Sequence, residues 1–228
     1  MTPTTVGVCK ETVTGEHRVA LVPGDVRALT ATGLRTLVET GAGNSAGFPD
    51  RAYQDAGART VSRDALLGDS DVLVSVRAPN LGVGQHLHRG QVLIALLEPS
   101  VIPFQMRRWA DDGVSTVSMD LVPSGRDFAL PTDAVASRAR RPTRQPDAVV
   151  QSFDADPRAR PAQIPAAASV AWSRNIVALL ARMRRDGSPV IDLSDPVQAA
   201  MVVTHDGLVL HEAVWQIILE ETALAGLP

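Results

Sequence analysis

At 228 residues, with 45% hydrophobic side chains and a formal net charge of -3, the chain can bury one full core, and its scattered arginines make no field for nucleic acid or anionic membrane. The single cysteine, Cys9, excludes an internal disulfide and a cysteine-built metal cluster. The opening MTPTTVGVCKE has no basic-then-apolar leader pattern and no apolar run nears the ~20 residues that span a bilayer, so a cytoplasmic protein is expected.

Taken in chain order, short β-branched runs alternate with helical patterns and glycine turns, the signature of βα units around a parallel sheet. Strands are expected at Thr5–Val8, Arg35–Glu39, Arg59–Val61, Val72–Val76, Val92–Leu97 and Ser115–Met119, with helices near Pro23–Thr32, Asp50–Ala56, Arg63–Leu67 and Pro103–Asp111. From Pro131 to Pro165 the chain is rich in Pro, Arg, Asp and Ala, with little apolar periodicity, and reads as a linker. Beyond it, a helix is expected over Ala166–Arg185, stopped by Asp186-Gly187, then a strand at Val190–Leu193. A hairpin with arms Ala200–Val203 and Leu208–Leu210 and a final helix His211–Ala225 close the chain. The expected fold class is α/β, a single Rossmann-like (flavodoxin-like) parallel sheet flanked by helices, with the C-terminal elements packing back on it.

Several stretches resemble a known family. GVCKETVTGEHRVALVPGDVRALTATG (residues 7–33) has a first strand, a lysine-glutamate pair and a Glu-x-Arg-Val-Ala loop. LVETGAGNSAGFPDRAYQDAGA, DVLVSVRAP, QVLIALLEPS and STVSMDLVPS continue the order, and near the end come ASVAWSRNIVALLARM and IDLSDPVQAAMVVTHDGLVL. Together they resemble the alanine dehydrogenase and NAD(P) transhydrogenase alpha-subunit family. The implied organisation is an N-terminal α/β domain over 1–137, a linker over 138–165 where the family carries its dinucleotide-binding domain, and a returning helix, hairpin and helix over 166–228. No stretch of the linker has a strand, a Gly-x-Gly-x-x-Gly turn and a helix in sequence, so no cofactor is expected. Gly41-Ala42-Gly43 with Gly47 imitates that fingerprint, but its third glycine falls one residue late and Phe48-Pro49-Asp50 interrupts any helix there.

The resemblance also implies roles. Arg77 aligns with the pyruvate-binding lysine of alanine dehydrogenase, Arg18 with its carboxylate-binding arginine, and Glu98 with its catalytic histidine. The transhydrogenase positions that reach nicotinamide align with Gly125, Leu130 and Asp133, of which only the aspartate matches. Because family members associate through this region, a homodimer is expected, with Trp172, Trp215 and the apolar faces of the last helices left uncovered.

The residues themselves point to one sheet edge. Ligands of open parallel sheets collect outside the carboxyl ends of the strands, where Lys10, Arg77, Glu98 and Asp120 follow strands and Glu16 and Arg18 lie in the loop after the first. Arg18 and Arg77, with Glu16 beside them, would clamp a carboxylate or phosphate. Glu98, among apolar LIALL and Pro99, would have a raised pKa and act as acid or base; Asp120 and Lys10 are further catalytic candidates, Lys10 as a carbonyl-capturing amine. The same six could equally be mutually satisfied ion pairs. No metal site is expected: His86 and His88 lack carboxylate or cysteine neighbours, and His205 reads as a turn residue. Cys9 is either a low-pKa thiol or simply packing. The expected function is a non-redox acid/base enzyme, a lyase, isomerase or cyclase, acting on a small carboxylate- or carbonyl-bearing metabolite, plausible in specialised metabolism. Two alternatives stay open: a ligand-binding or regulatory module, and an NAD(P)-linked subunit that borrows a Rossmann-bearing partner.

Overall fold

The computed structural model describes residues 3–80, 84, 86–123, 164–185 and 188–224. Linker positions 138–163, with Gly125, Leu130, Asp133 and the Asp186-Gly187 stop, lie outside the described residues.

Strands β1 (Thr5–Val8), β2 (Arg35–Glu39), β3 (Arg59–Val61), β4 (Val72–Arg77), β5 (Val92–Leu96) and β6 (Ser115–Ser118) run parallel in the order 6-5-4-1-2-3. This is the Rossmann strand order, in keeping with the Rossmann-like parallel α/β sheet expected from sequence. The chain winds outward from β1 to β3, then crosses back to place β4 on the other side of β1. Strand direction of winding therefore reverses between β1 and β4, and their carboxyl ends part to leave a crevice.

Both sheet faces are covered, which is why the strands read as nearly continuous apolar runs. Helices α1 (Pro23–Ala31) and α2 (Asp50–Asp55) cover one face, where Val6, Val8, Val38, Val74 and Ile94 point. Helices α3 (Arg63–Asp69) and α4 (Pro103–Asp111) cover the other, against Leu37, Leu73 and Leu93. At Gly7 the α3–β4 connection presses so close that a Cβ would stand 2.2 Å from Ser70 Oγ. Only glycine fits there.

After the undescribed segment, α5 (Ile164–Met183) joins the first face through Trp172, Ile176 and Leu179. Strand β9 (Val202–His205) adds to β6 antiparallel, and β10 (Leu208–Val209) forms the sheet edge. Helix α7 (Glu212–Leu224) packs on the second face through Val214 and Ile218. Trp172, expected at an uncovered surface, is buried at 6% exposure, whereas Trp215 is 36% and Leu208 61% exposed.

The expected strand Val190–Leu193 is not one. The short antiparallel pair there is β7 (Arg184–Arg185) with β8 (Ser188–Pro189), and Asp192 turns the chain by accepting the N–H of Ser194 at 3.0 Å. The expected hairpin arm Ala200–Val203 is half helix: α6 spans Pro196–Met201, started by Asp195 accepting the Val197 N–H at 2.9 Å and by Pro196 at the first helical position. That Asp-Pro start outweighs the β-branched residues downstream.

Candidate functional site

The crevice between β1 and β4 is where the chemistry gathers. A shallow recess opens there, lined by Lys10, Glu11, Thr12, Arg63, Ser75 and Arg77 among others, with an enclosed volume of only about 10 Å³. That is room for about one water, so a ligand would lie across the open mouth of the recess and not inside it.

Backbone pairing between β1 and β4 ends when the Cys9 N–H donates to Val74 O at 3.0 Å. Past that point a side chain continues the ladder. The Glu11 carboxylate accepts the N–H of Val76 at 2.7 Å and of Arg77 at 3.1 Å, across the bulge in β4 between Val74 and Arg77. Burial raises the Glu11 pKa from 4.5 to about 7; the two N–H bonds and the Arg18 charge work against that rise, and the nearby Glu16 charge adds to it. Glu11 was not singled out from sequence, although it belongs to the lysine-glutamate pair quoted there. The available signal was its place two residues beyond Cys9, at the point where the sheet reverses direction.

Arg77, fixed at its backbone by Glu11, directs its guanidinium to Glu98, with Nη2 3.1 Å from Oε1. Both side chains keep water contact, at 34% and 47% exposure. Glu98 is therefore paired and half in solvent, not enclosed by the apolar LIALL run, because its backbone turns left-handed at φ 47° and carries the side chain out of the strand. Left-handed non-glycine residues concentrate at functional sites. Asp120 holds that turn, its Oδ1 accepting the N–H of Leu97 at 3.1 Å and of Glu98 at 3.4 Å, with the Ser118 hydroxyl also donating to it. Its carboxylate is thus engaged in positioning Glu98.

Arg18 and Glu16 form a fork: Nε to Oε1 is 2.8 Å and Nη2 to Oε2 is 2.6 Å, with the Arg18 backbone N–H donating at 3.0 Å. Burial opposes ionisation of Glu16, but these bonds and the Arg18 and Arg77 charges together hold its pKa below the usual carboxylate value. Helix α5 supports the loop. Ser169 and Ser173, one turn apart, accept the N–H of Val19 and Val22 at 3.0 Å each, and the Arg18 guanidinium stands 6.0 Å from the Trp172 ring centroid.

Lys10 is exposed and reaches over Gly41, where a Cβ would sit 3.7 Å from Nζ; its backbone N–H donates to Glu39 at 2.9 Å. Glu39, only 7% exposed, also takes Arg63 Nε at 2.9 Å and so ties α3 to the crevice. Sequence reasoning missed both. Burial, with the Glu39 and Glu11 charges, pushes the Cys9 thiol well up, which supports packing over thiolate chemistry. His205 bonds Ser115 at 2.9 Å, and among the described residues no cluster of His, Cys, Asp and Glu is arranged to hold a metal ion.

Residues 7–139 match the model of the alanine dehydrogenase/PNT N-terminal domain family. The chain is 36% identical over 135 residues to alanine dehydrogenase of Bacillus subtilis (strain 168), covering 58% of this chain and 36% of that protein. It is 36% identical over 135 residues to NAD(P) transhydrogenase subunit alpha of Cereibacter sphaeroides, covering 59% and 26%. Its fold resembles the crystal structure of transhydrogenase from Sinorhizobium meliloti, with TM-score 0.53 and 30% identity over 56% of this chain and 38% of that one. The chain spans about a third of the length of the curated relatives it matches. No described helix is long and apolar enough to cross a membrane.

Proposed function

The chain belongs to the alanine dehydrogenase/PNT N-terminal domain family, and from that premise we propose that its β1/β4 crevice binds a small carboxylate-bearing 2-oxo metabolite and catalyses a non-redox proton transfer on it, as a lyase, isomerase or cyclase does. The supporting observation is the Arg77–Glu98 pair at the crevice mouth. An exposed pair of this kind is worth about 0–1 kcal/mol, so a ligand carboxylate that makes two bonds to the guanidinium displaces Glu98 at little cost. Displacement frees the Glu98 carboxylate next to the bound ligand. It can then take a proton from the carbon beside the ligand carbonyl and return it elsewhere, while the Arg77 charge stabilises the enolate that forms.

Deuterium exchange at the methyl group of pyruvate in D₂O, followed by proton NMR, tests this without knowledge of the natural substrate. The expected result is exchange above the buffer rate, reduced about 10²–10⁴-fold in Glu98→Gln, the usual span for loss of a general base. Exchange at the buffer rate by the unaltered chain, for pyruvate and a panel of larger 2-oxo acids, would refute the catalytic reading. One observation favours a second reading, a ligand-binding module without catalysis: Arg18 is already forked on Glu16, so a single arginine serves the incoming carboxylate. Saturable binding without exchange is its signature.

A further inference from the structure

We propose that the recess mouth has a second anion seat, formed by Lys10 Nζ and the Asn44 side-chain amide over Gly41. The ligand is then a 2-oxo dicarboxylate, with its first carboxylate on Arg77 and its far carboxylate on this seat. The inference rests on the binding half of the proposed function and narrows its substrate class.

Three cations line the recess: Lys10, Arg63 and Arg77. Arg63 is taken up by the buried Glu39, with Nε 2.9 Å and Nη2 2.8 Å from Oε1. Arg77 has Glu98 beside it, in the exposed pair that a ligand carboxylate displaces. Lys10 differs. Its backbone N–H is bound to Glu39, and among the described residues its ammonium has no carboxylate within ion-pair distance. A ligand with one carboxylate satisfies Arg77 and leaves that charge unanswered; a ligand with two satisfies both.

What surrounds Lys10 gives the seat its shape. Strands β4, β1 and β2 are neighbours in the sheet, about 5 Å from one to the next, so their carboxyl ends set Arg77, Lys10 and the Gly41 turn side by side along one edge. Gly41 takes φ 76°, in the left-handed region, and its N–H donates to Asp50 Oδ1 at 2.8 Å. Above it, where a Cβ would stand, Lys10 Nζ is 3.7 Å away and Asn44 Nδ2 3.3 Å away. Two donors thus border one small opening that only glycine leaves free, and neither has a hydrogen-bond acceptor among the described residues. Asn44 opens the short 3-10 turn Asn44–Ala46, anchored by its own N–H on Gly41 O at 3.3 Å and by the Gly47 N–H on its carbonyl at 3.0 Å. A carboxylate suits this seat, one oxygen taking the ammonium and the other the amide N–H. A ligand lying across the mouth then reaches from Arg77 to Lys10 and keeps its 2-oxo end at Arg77 and Glu98.

Calorimetric titration of 2-oxoglutarate and of 2-oxopentanoate into the full chain isolates the far carboxylate, because the two ligands share one 2-oxo acid skeleton and differ only at the last carbon. Expected is tighter binding of 2-oxoglutarate by about five- to tenfold, as a contact with an exposed ammonium and an amide would give, and a preference that shrinks as salt is raised. Lys10→Met keeps the side-chain stem without the charge and is expected to bring the ratio of the two affinities close to one. Asn44→Ala should lower that ratio by about twofold, for loss of one hydrogen bond. Both positions are exposed, so neither substitution threatens the fold. Equal affinities in the unaltered chain, or a preference that survives either substitution in full, overturn the inference alone. No saturable binding of either ligand overturns the site reading and the inference together.

Discussion

The Arg77 guanidinium and the Glu98 carboxylate meet at 3.1 Å across the ends of β4 and β5, and each is a third to a half exposed. Glu98 thus occupies the place a ligand carboxylate would take. Removing it should separate binding from turnover: Glu98→Gln is expected to tighten pyruvate binding by up to about fivefold, from the ~1 kcal/mol such a pair contributes at most, while it lowers proton exchange. Calorimetry and NMR exchange on the same preparation check both. Binding weakened by the substitution would mean that Glu98 is part of the ligand shell and not its competitor.

Stability should carry the signature of Glu11. Its folded pKa of about 7 lies above the ordinary 4.5, so the folded state holds more protons than the unfolded one between these values. The sign follows: stability falls as pH rises from about 4.5 to about 7, and the loss is fully present above that. The ceiling is on the order of 3 kcal/mol, from about 1.4 kcal/mol per unit. Urea unfolding at pH 5 and pH 8 should show the decline in the unaltered chain and a smaller one in Glu11→Gln. Equal declines in both would assign the slope to other groups.

The loop that bears Arg18 depends on α5. Ser169→Ala or Ser173→Ala removes the acceptor for a buried N–H, of Val19 or Val22 respectively. Each is expected to cost about 1–3 kcal/mol, the penalty of an unsatisfied buried donor. Ser173→Ala also strips a 2.6 Å bond from Asp25 and should be the worse of the two. Chemical denaturation measures this; changes below a few tenths of a kcal/mol would show that the loop holds its shape without the helix.

How far the site was legible from sequence depends on where its partners lie in the chain. Lys10, Arg77 and Glu98 were placed at strand ends because a strand's carboxyl end can be read from periodicity alone. The fork of Arg18 on Glu16 is local, two residues apart. Glu11 was not legible in the same way: its partners, the amides of Val76 and Arg77, are 65 and 66 residues distant and carry no side-chain signal. Glu39 and Arg63 were hidden for the same reason. The environment of Glu98 was misjudged because hydrophobic neighbours in sequence do not fix the side-chain direction once the backbone turns to φ 47°. In the fold, the six parallel strands and their Rossmann-like class were legible from the alternating βα pattern, whereas no explicit strand order was read, since that depends on which way the crossovers wind. Helix α6 was missed although Asp195-Pro196 announces a helix start, because the apolar run after it looked like a strand.

Asp195 joins the last parts of the chain, accepting Arg182 Nε at 2.6 Å and Nη2 at 2.8 Å while it caps α6. Arg182 and the other bonds hold its pKa down to about 2 from 3.8. A depressed carboxylate contributes stability above its unfolded pKa that is lost as pH falls, here from about 3.8 towards 2. Asp195→Ala is expected to cost about 1–2 kcal/mol through loss of the cap and the pair. Acid unfolding of the variant should then be less steep below pH 4; an unchanged acid limb would show that Asp195 carries none of it.

The central claim is that Arg77 receives a ligand carboxylate in exchange for Glu98, and the most direct test follows the Arg77 Nε–H signal in nitrogen-15 spectra of the full chain as pyruvate is added at pH 6.5. The account predicts a saturable shift of that signal, with binding abolished in Arg77→Ala. No saturable shift up to about 10 mM, which corresponds to affinity weaker than roughly 3 kcal/mol, or a shift elsewhere that survives Arg77→Ala, would contradict it.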